Sequence, residues 1–309
     1  MENQELSLAT MVPVFATEEA AISFLETKRW PNGPVCPFCD SDKTYSLKPK
    51  PESVKPVRLG AHKCAVCRKQ FTVRIGTIFE DSHIPLNKWL MAIHLMTGSK
   101  KGVSSLQLSR ELGITPKSAW FLTQRIREAM TEKPDKGSLS GTVEVDETYI
   151  GGKPRKDNAG SPKKKHKRGR GTDKTPVMAL VEREGDCYSK PIKNVDGLTL
   201  KGTIKQIVDK ASTIMTDEWK SYVGNGKDFS GGHEVVKHSD GAFVRGNIFT
   251  NTVESYFALL KRGVMWIFHH VSKGHLHRYC NEFSFRWNHR KVSDGERMIA
   301  AIEGVVGHD

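Results

Sequence analysis

Two Cys-x-x-Cys pairs in this chain have the residue types and the spacing of a metal site. Cys36 and Cys39 form the first pair, Cys64 and Cys67 form the second, and 24 residues separate them. Two such pairs converge on one ion and complete the tetrahedral shell that Zn²⁺ prefers. A disulfide framework would suit a secreted chain, but the N-terminus lacks a secretory signal. The cysteines therefore predict one structural Zn²⁺ per chain, in a zinc ribbon over residues 31–80.

A second chemical pattern is "VEVDETYIGGKPRK" at residues 143–156, which begins as an apolar strand and ends as a run of cations. The carboxylates of Glu144, Asp146 and Glu147 interrupt the strand. Charge at an apolar position costs several kcal/mol unless something compensates it. A divalent metal that serves a nucleic-acid backbone is one such compensation, and a solvated edge strand is the alternative. This stretch alone does not separate the two.

The predicted elements after residue 141 favour the metal site over the solvated edge strand. Strands are predicted at 142–150, 176–184, 187–195, 212–217 and 233–238, and helices at 198–210 and from 251. Three strands, a helix, a strand and then further helices is the element order of a ribonuclease-H-like fold. The predicted fold class is therefore multidomain α/β, with the ribbon and a helix-turn-helix before a ribonuclease-H-like mixed sheet and its flanking helices.

In such a sheet the first strand lies centrally and the fourth strand pairs beside it. Asp146 and Asp217 are then expected close together, and Glu254 on the later helix completes a cluster of three carboxylates. Oxygen ligands of this kind select Mg²⁺ or Mn²⁺. Two such ions activate a water or a 3′-hydroxyl and stabilise the leaving oxygen at a phosphodiester.

The region over residues 81–131 reads as a DNA-binding unit. In "VSSLQLSRELGITPKSAWFLTQRIREAM", Ser104 or Ser105 begins one helix and Gly113 ends it. Thr115 caps the next, with Pro116 in its first turn. Two helices joined by a tight turn are a helix-turn-helix, whose second helix can enter the major groove. Helical hairpins also occur in proteins that never bind DNA.

Charge favours a nucleic-acid partner. The 309 residues have a formal net charge of +13, and 37% of them are hydrophobic, which excludes a disordered chain. The segment 153–174 contains ten lysine or arginine residues and two aspartates, with Gly, Pro and Ser between them. Such a basic loop binds phosphates through counterion release, and a solvated linker or an import patch is the alternative.

The remaining segments complete the predicted domain organisation. An N-terminal helix is predicted within residues 1–30, a linker at 132–141, and the catalytic domain over 142–309. No apolar run is long enough to span a membrane. The chain is therefore expected in the cytoplasm, associated with the nucleoid and not with a membrane.

Several stretches together resemble a known family, the DDE transposases of small bacterial insertion sequences, in the branch with an N-terminal zinc ribbon. They are "CPFCD…KCAVCRKQFTVRIGTIFEDSHIPLNKWL", "VEVDETYIGG", "TDEWKSY", "TNTVESYFALLKRG" and "HHVSKGHLHRYCNEFSFRWNHR". The resemblance implies catalytic Asp146, Asp217 and Glu254, which bind two Mg²⁺ or Mn²⁺ ions, with Lys261 on the same helix face. Some relatives use asparagine as the third member, which makes Asn251 an alternative to Glu254; otherwise Asn251 serves as the helix N-cap.

The resemblance predicts a transposase that binds terminal inverted repeats, cuts the DNA and joins the ends to a target, as at least a dimer on DNA. The alternatives are a structure-selective nuclease or resolvase on the same fold, or a catalytically inactive DNA-binding regulator. The predicted DNA contacts are Lys117, Ser118, Arg125, Lys163, Lys164, Lys165, Lys167, Arg168, Arg170, Lys261 and Arg262.

Overall fold

The structure is a computed structural model that describes residues 7–48, 57–132, 134–135, 137–152, 172–217, 228–236 and 249–306. The chain forms two compact units. The first contains residues 1–130 and 291–309, and the second contains residues 131–290. Helices α1–α9 and strands β1–β8 are numbered below in chain order.

The first unit begins with two helices, α1 (Leu8–Ala16) and α2 (Glu18–Arg29), where the sequence predicted one. Thr17 separates them because its backbone is extended, and its side chain accepts a hydrogen bond from the Ala20 N–H as the cap of α2. The sequence predicts only the second of these helices. Pro13 lies inside α1, and a proline within a helix removes a backbone donor, so the local pattern does not favour a helix there.

The ribbon is a small antiparallel sheet of β1 (Thr44–Ser46), β2 (His62–Cys64) and β3 (Gln70–Phe71), in that order. One side of it packs aromatic rings together: His62 stacks on Phe71 at 5.5 Å, and Trp30 meets both rings edge-on. The His62 Nε2 lies 2.8 Å from a carboxylate oxygen of Glu26 on α2. His62 therefore joins the ribbon to α2.

The helix-turn-helix follows α3 (Leu86–Gly98) and consists of α4 (Ser105–Leu112) and α5 (Pro116–Ala129). The predicted caps are confirmed. The Ser104 hydroxyl accepts the N–H of Gln107, and the Thr115 hydroxyl accepts that of Ser118. Gly113 ends α4 with φ 58°, a left-handed conformation in which glycine has no steric penalty.

The C-terminal segment belongs to the first unit, so the second unit ends at Arg290 and not at 309 as predicted for the catalytic domain. Helix α9 (Asp294–Glu303) begins with a capping box of Ser293 and Glu296 and packs on α3 and α5. Its apolar side is buried, and the Ile78 N–H donates to the Val305 carbonyl at 3.2 Å. The boundary differs from the predicted one because α9 buries its apolar side in the first unit. No local signal in the sequence indicates which unit an amphipathic helix will cover.

The second unit is built on a five-stranded sheet in the order β6-β5-β4-β7-β8. The strands are β4 (Thr142–Ile150), β5 (Thr175–Glu182), β6 (Cys187–Pro191), β7 (Thr213–Asp217) and β8 (His233–Val236). The first three pair antiparallel, whereas β7 pairs parallel to β4 and to β8. This mixed sheet, with its first strand in the centre, confirms the predicted fold class.

Helices cover both faces of this sheet. One face packs on α6 (Gly197–Ile207) through Val143, Val145 and Ile214. The other face packs on α7 (Asn251–Trp266) and α8 (Leu276–Asn288), and Ile150 of β4 lies on this side. Because side chains alternate along a strand, Glu144 and Asp146 share the face of Ile150.

The predicted linker at 132–141 ends in residues that belong to the second unit. Leu139 is buried in the core beside α6, and its N–H and carbonyl bond with Ile207 and Asp209. The end of the segment is therefore part of the second unit, because an apolar side chain inside it has a core to enter.

No single helix in the described part of the chain is long and apolar enough to cross a membrane. Helices α1 and α2 reach that length and composition only as a pair, and they bend by 113° where they meet.

Candidate metal and nucleic-acid sites

The four predicted cysteine ligands converge in the ribbon. All four sulfurs lie within 4.8 Å of one another. The Sγ atoms of Cys36 and Cys67 are 3.6 Å apart, and those of Cys39 and Cys64 are 3.7 Å apart. A zinc–sulfur bond of about 2.3 Å implies sulfurs about 3.8 Å apart at the corners of a tetrahedron. The cluster therefore has the composition and the geometry of a closed, structural Zn²⁺ site.

Backbone amides also point at this cluster. The N–H groups of Cys67 and Val66 donate to the Cys64 sulfur, at 3.5 and 3.3 Å. Hydrogen bonds to the charged form of a group favour that form. They lower the pKa of Cys64 to about 7, the backbone bond from Cys67 being the largest cause. A thiolate is the form that binds zinc, so the local backbone favours the ligand state.

The sheet brings together the first two predicted acids. Glu144 on β4 pairs with Met215 on β7 in parallel register. The ladder between the two strands ends at this pair, and continuing it by two residues along both strands would put Asp146 opposite Asp217, the last residue of β7. Neighbouring strands lie about 4.8 Å apart, and both residues are on the face that α7 covers.

Helix α7 adds the third acid. Glu254 is exposed in its first turn. Burial, then the negative charges of Glu147, Asp217 and Glu254, raise the pKa of Asp146 to about 7, although the Glu147 N–H donates to its Oδ1 at 2.7 Å. Among the described residues no lysine or arginine forms an ion pair with Asp146. This excess of negative charge suits a site for divalent cations.

The acids are less tightly gathered than the sulfurs. In the part of the chain that the structure describes, the cysteine cluster is the one group of metal-binding side chains whose ligand atoms all lie within 4.8 Å. The charges of Asp217 and Glu254 act on Asp146, so the three acids interact electrostatically. They do not form a closed coordination shell.

Asn251 is not the N-cap of α7, so that prediction was wrong. The cap is Thr250, whose side chain makes no capping bond, and Asn251 is an exposed first residue of the helix. Glu144 from β4 satisfies the helix start instead. Its Oε2 accepts the N–H groups of Thr252 and Val253 at 2.8 and 3.0 Å, and its Oε1 accepts the Thr252 hydroxyl at 2.9 Å. A carboxylate at this end also interacts favourably with the helix dipole.

Arg183 completes this arrangement, although no pattern in the sequence indicated it. Its Nε donates to Glu144 Oε1 at 2.8 Å, and its Nη2 donates to the Phe249 carbonyl at 2.8 Å. Its guanidinium also lies over the Phe249 ring, 3.7 Å from the centroid. Glu144 is fully buried. The sequence indicated Glu144 only through its charge at an inward strand position. Arg183 lies in the turn after β5, and no sequence feature indicated its role.

The predicted cations of α7 lie on its outer side. Lys261 is exposed, seven residues after Glu254 and so about 10 Å along the helix. Its Nζ lies 5.9 Å from the centre of the Phe257 ring. Arg262 is also exposed, and its Nε donates to the Ala258 carbonyl.

Of the three contacts predicted on α5, Lys117 is exposed. The other two side chains have partners inside the unit. The Ser118 hydroxyl accepts a hydrogen bond from the Thr115 hydroxyl at 2.9 Å. Arg125 donates to the carbonyls of Ile78 and Glu80, which holds the end of the ribbon region against α5. These bonds give Arg125 a structural role, and its contact with DNA stays a prediction.

The exposed surface of α5 contains residues that we had not predicted. Trp120 and Phe121 follow Lys117 by one turn and are both exposed. The predicted contacts of the basic loop lie outside the described residues. They are Lys163, Lys164, Lys165, Lys167, Arg168 and Arg170.

Comparisons with known proteins agree with the zinc cluster. The family model for the ISXO2-like transposase domain matches residues 138–288, and the model for the transposase zinc-ribbon domain matches residues 16–70. The chain is 31% identical over 293 residues to an uncharacterized protein in transposable element ISH50 of Halobacterium salinarum. That match covers 89% of this chain and 93% of the relative.

Solved structures give a weaker comparison. The Mos1 strand transfer complex matches at 14% identity and a TM-score of 0.21, over 67% of this chain and 78% of that one. The Mos1 transposase paired-end complex with the left transposon end matches at 13% identity and a TM-score of 0.20, over 67% and 79%. TM-scores this low carry no argument about this chain.

Proposed function

Because the chain belongs to the insertion-sequence transposases that combine a zinc ribbon with an ISXO2-like transposase domain, we propose that it binds the terminal inverted repeats of its element, cuts the DNA there and joins the ends to target DNA. Membership of this family makes the chain a transposase and an enzyme of the polynucleotidyl-transferase type. The identity of the catalytic residues, the metal ions and the DNA contacts are our proposals.

The register between β4 and β7 is the observation that supports the active site. Continued by two residues, this register would put Asp146 opposite Asp217, and the negative charges of Asp217 and Glu254 both act on Asp146. We propose that these three acids hold two Mg²⁺ or Mn²⁺ ions. Bound ions of this kind activate the attacking oxygen and stabilise the leaving oxygen at a phosphodiester. The excess negative charge and the all-oxygen donor set fit such ions.

The side chains of this site orient the DNA and do not attack it. Water is the attacking group in the cut, and the new 3′-hydroxyl is the attacking group in the joining step. Both are in-line displacements, so no bond forms between protein and DNA. Lys261 donates to a non-bridging phosphate oxygen near the acids and holds the strand in the attacking geometry.

A DNA strand that reaches the acids would run along the outer side of α7. Beyond Lys261 and Arg262, this side ends in Met265 and Trp266, which are 64% and 73% exposed. Trp266 lies twelve residues from Glu254, or about 18 Å along the helix. An aromatic ring beside cations is a stacking surface for unpaired bases. Two apolar side chains are too few for a stable protein interface, which buries about 800 Å² per partner.

Other parts of the proposal concern assembly and recognition. Two element ends must be held together for joining, so we propose at least a homodimer on DNA. The zinc ribbon, Lys117 of the helix-turn-helix and the basic loop at 153–174 are proposed to bind the ends and the phosphate backbone. The cytoplasmic, nucleoid-associated location remains a prediction.

An assay with purified protein tests this function against its alternatives. The substrate is linear DNA that contains the inverted repeats flanking the coding region, mixed with a target plasmid and Mg²⁺ or Mn²⁺. A transposase yields 3′-end cleavage and joined products. Cleavage without joined products would favour a nuclease or resolvase. End binding without cleavage, in either metal, would favour a regulator.

Glu254→Gln should eliminate strand transfer and lower metal affinity with little change in melting temperature, because the residue is exposed and a third carboxylate offsets metal charge that an amide does not. Asn251→Ala is the matched variant one turn earlier. Since Glu144 caps the helix start, Asn251→Ala should retain strand transfer and lose less than about 1 kcal/mol of stability. Strand transfer and thermal unfolding are the two measurements. Intact transfer in Glu254→Gln with none in folded Asn251→Ala would make Asn251 the third ligand.

Trp266→Ala should weaken binding of a DNA end with unpaired nucleotides by about 10-fold, since stacking on one base is worth about 1–3 kcal/mol. Trp266→Phe should retain most of the affinity. Fluorescence anisotropy at several salt concentrations separates this effect from charge. Trp266→Ala should leave the slope of log affinity against log salt concentration unchanged. Lys261→Ala should reduce the magnitude of that slope by about one. Leu198→Ala, at an exposed position of α6, is the control. Equal affinities for Trp266→Ala and Leu198→Ala would contradict the stacking role.

A further inference from the structure

The ion pair of buried Glu144 and partly buried Arg183 contacts every element that bears a proposed metal ligand. Glu144 itself is on β4, two residues before Asp146. The Arg183 Nη2 lies 2.9 Å from the Met215 sulfur on β7, two residues before Asp217. Glu144 binds the first amides of α7, and Arg183 binds the carbonyl of Phe249 just before that helix. One ion pair therefore joins the three elements.

The pair lies in the layer next to the acids. Glu144 and Met215 are register partners, and both residues are on the sheet face that α7 covers. Two residues of a strand span about 6.6 Å, so this layer is directly adjacent to Asp146 and Asp217. The helix start that Glu144 binds is within two residues of Glu254. A shift of this start would move Glu254 relative to the two aspartates.

Stability alone gives a weak reason for such a pair. Burying two charges costs desolvation energy that their attraction often does not exceed, and apolar replacements of similar volume are frequently neutral. What an apolar pair lacks is directed hydrogen bonding. The Glu144 carboxylate accepts from two amides and a hydroxyl of α7 as well as from Arg183, which fixes the helix in both translation and rotation.

We propose that Glu144, held by Arg183, is a positioning residue that sets the start of α7 so that Glu254 completes the metal site with Asp146 and Asp217. This inference rests on the proposed function of the three acids. Partners in the layer behind metal ligands typically change metal affinity by about 10–100-fold when they are replaced. Glu144 would act on Glu254 in this way through the helix backbone.

Glu144→Gln tests the proposal because glutamine keeps the size of the side chain but presents an amide N–H₂ group to donors. We expect the Mn²⁺ dissociation constant of the DNA-free protein, measured by electron paramagnetic resonance of unbound Mn²⁺, to rise about 10-fold or more. DNA cleavage should require correspondingly more Mn²⁺. A smaller pair of variants tests the hydroxyl contact: Thr252→Val should weaken Mn²⁺ binding several-fold, and Thr252→Ser should restore it.

A buried ion pair elsewhere in the same unit provides the matched control. Glu282 and Arg286 lie 2.6 Å apart on α8, and both side chains are buried. Glu282→Gln removes an equally buried carboxylate from a helix that contains none of the proposed ligands. It should lower the melting temperature as Glu144→Gln does and leave Mn²⁺ affinity unchanged. Equal Mn²⁺ affinities in the two variants would overturn the positioning role.

Asp146→Asn separates a failure of this inference from a failure of the proposed function. If Asp146→Asn binds Mn²⁺ like the unmodified protein, the three acids are not the metal site and the proposed function fails. If Asp146→Asn loses Mn²⁺ but Glu144→Gln matches its control, only the positioning role fails. Should Glu144→Gln not fold, the Thr252 variants decide: equal Mn²⁺ affinity in Thr252→Val and Thr252→Ser overturns the inference.

Discussion

Asp146→Asn should abolish both DNA cleavage and strand transfer, lowering each rate by about 10³-fold or more. The carboxylate is proposed to hold divalent ions that stabilise charge in the transition state by several kcal/mol, and each 1.36 kcal/mol is tenfold in rate. Asp217→Asn should behave in the same way, since both aspartates are proposed to hold the same ions. The measurement is a time course of cleavage and joining on inverted-repeat DNA in Mg²⁺.

Folding and DNA binding should survive this change. Burial and neighbouring negative charges raise the pKa of Asp146 to about 7, so its ionised form destabilises the folded state at pH values above its ordinary pKa. In a chelating buffer at pH 8, Asp146→Asn should therefore unfold at no lower a temperature than the unmodified protein. It should also bind end DNA with equal affinity.

Glu147→Gln is the matched control, because it removes the same charge one position further along β4, where the side chain is on the opposite face of the strand. It should retain cleavage and joining. A folded Asp146→Asn protein that still joins a pre-cut end in Mg²⁺ would contradict the assignment of the acids.

Cys36→Ser should release the zinc and unfold residues 31–75. A structural site contributes its binding energy to folding, and in zinc-finger peptides this amounts to about 10–16 kcal/mol at neutral pH. Elemental analysis should give one zinc per chain for the unmodified protein and little for Cys36→Ser. Loss of the ribbon should follow as increased amide hydrogen exchange between residues 31 and 75.

Cys187→Ser provides the comparison, since Cys187 is also a buried free cysteine but lies on β6 of the second unit. It should keep its zinc and the exchange protection of the ribbon. Unmodified protein that contains no zinc and four freely reactive ribbon thiols would refute the structural site.

Local patterns in the sequence were sufficient for several parts of this protein. The zinc cluster depends on two short spacings, because Cys-x-x-Cys brings two sulfurs together in any knuckle. The caps of α4 and α5 are likewise local, because each capping hydroxyl accepts a hydrogen bond from the N–H group three residues later. Element order predicted that β7 pairs beside a central β4, and the sheet confirms it. The close approach of Asp146 and Asp217 stays a prediction.

Long-range contacts decided the rest. Glu144 is separated from Thr252 by 108 residues, so its role at the start of α7 depends on the packing of a distant helix on the sheet. Arg125 donates to the carbonyls of Ile78 and Glu80, which precede it by 47 and 45 residues. Helix α9 belongs to the first unit, although the whole second unit lies between it and the rest of that unit in the sequence. Buried polar groups must find partners wherever the fold provides them. Residue type therefore predicted that these side chains needed partners, and only the tertiary structure determined which partners they have.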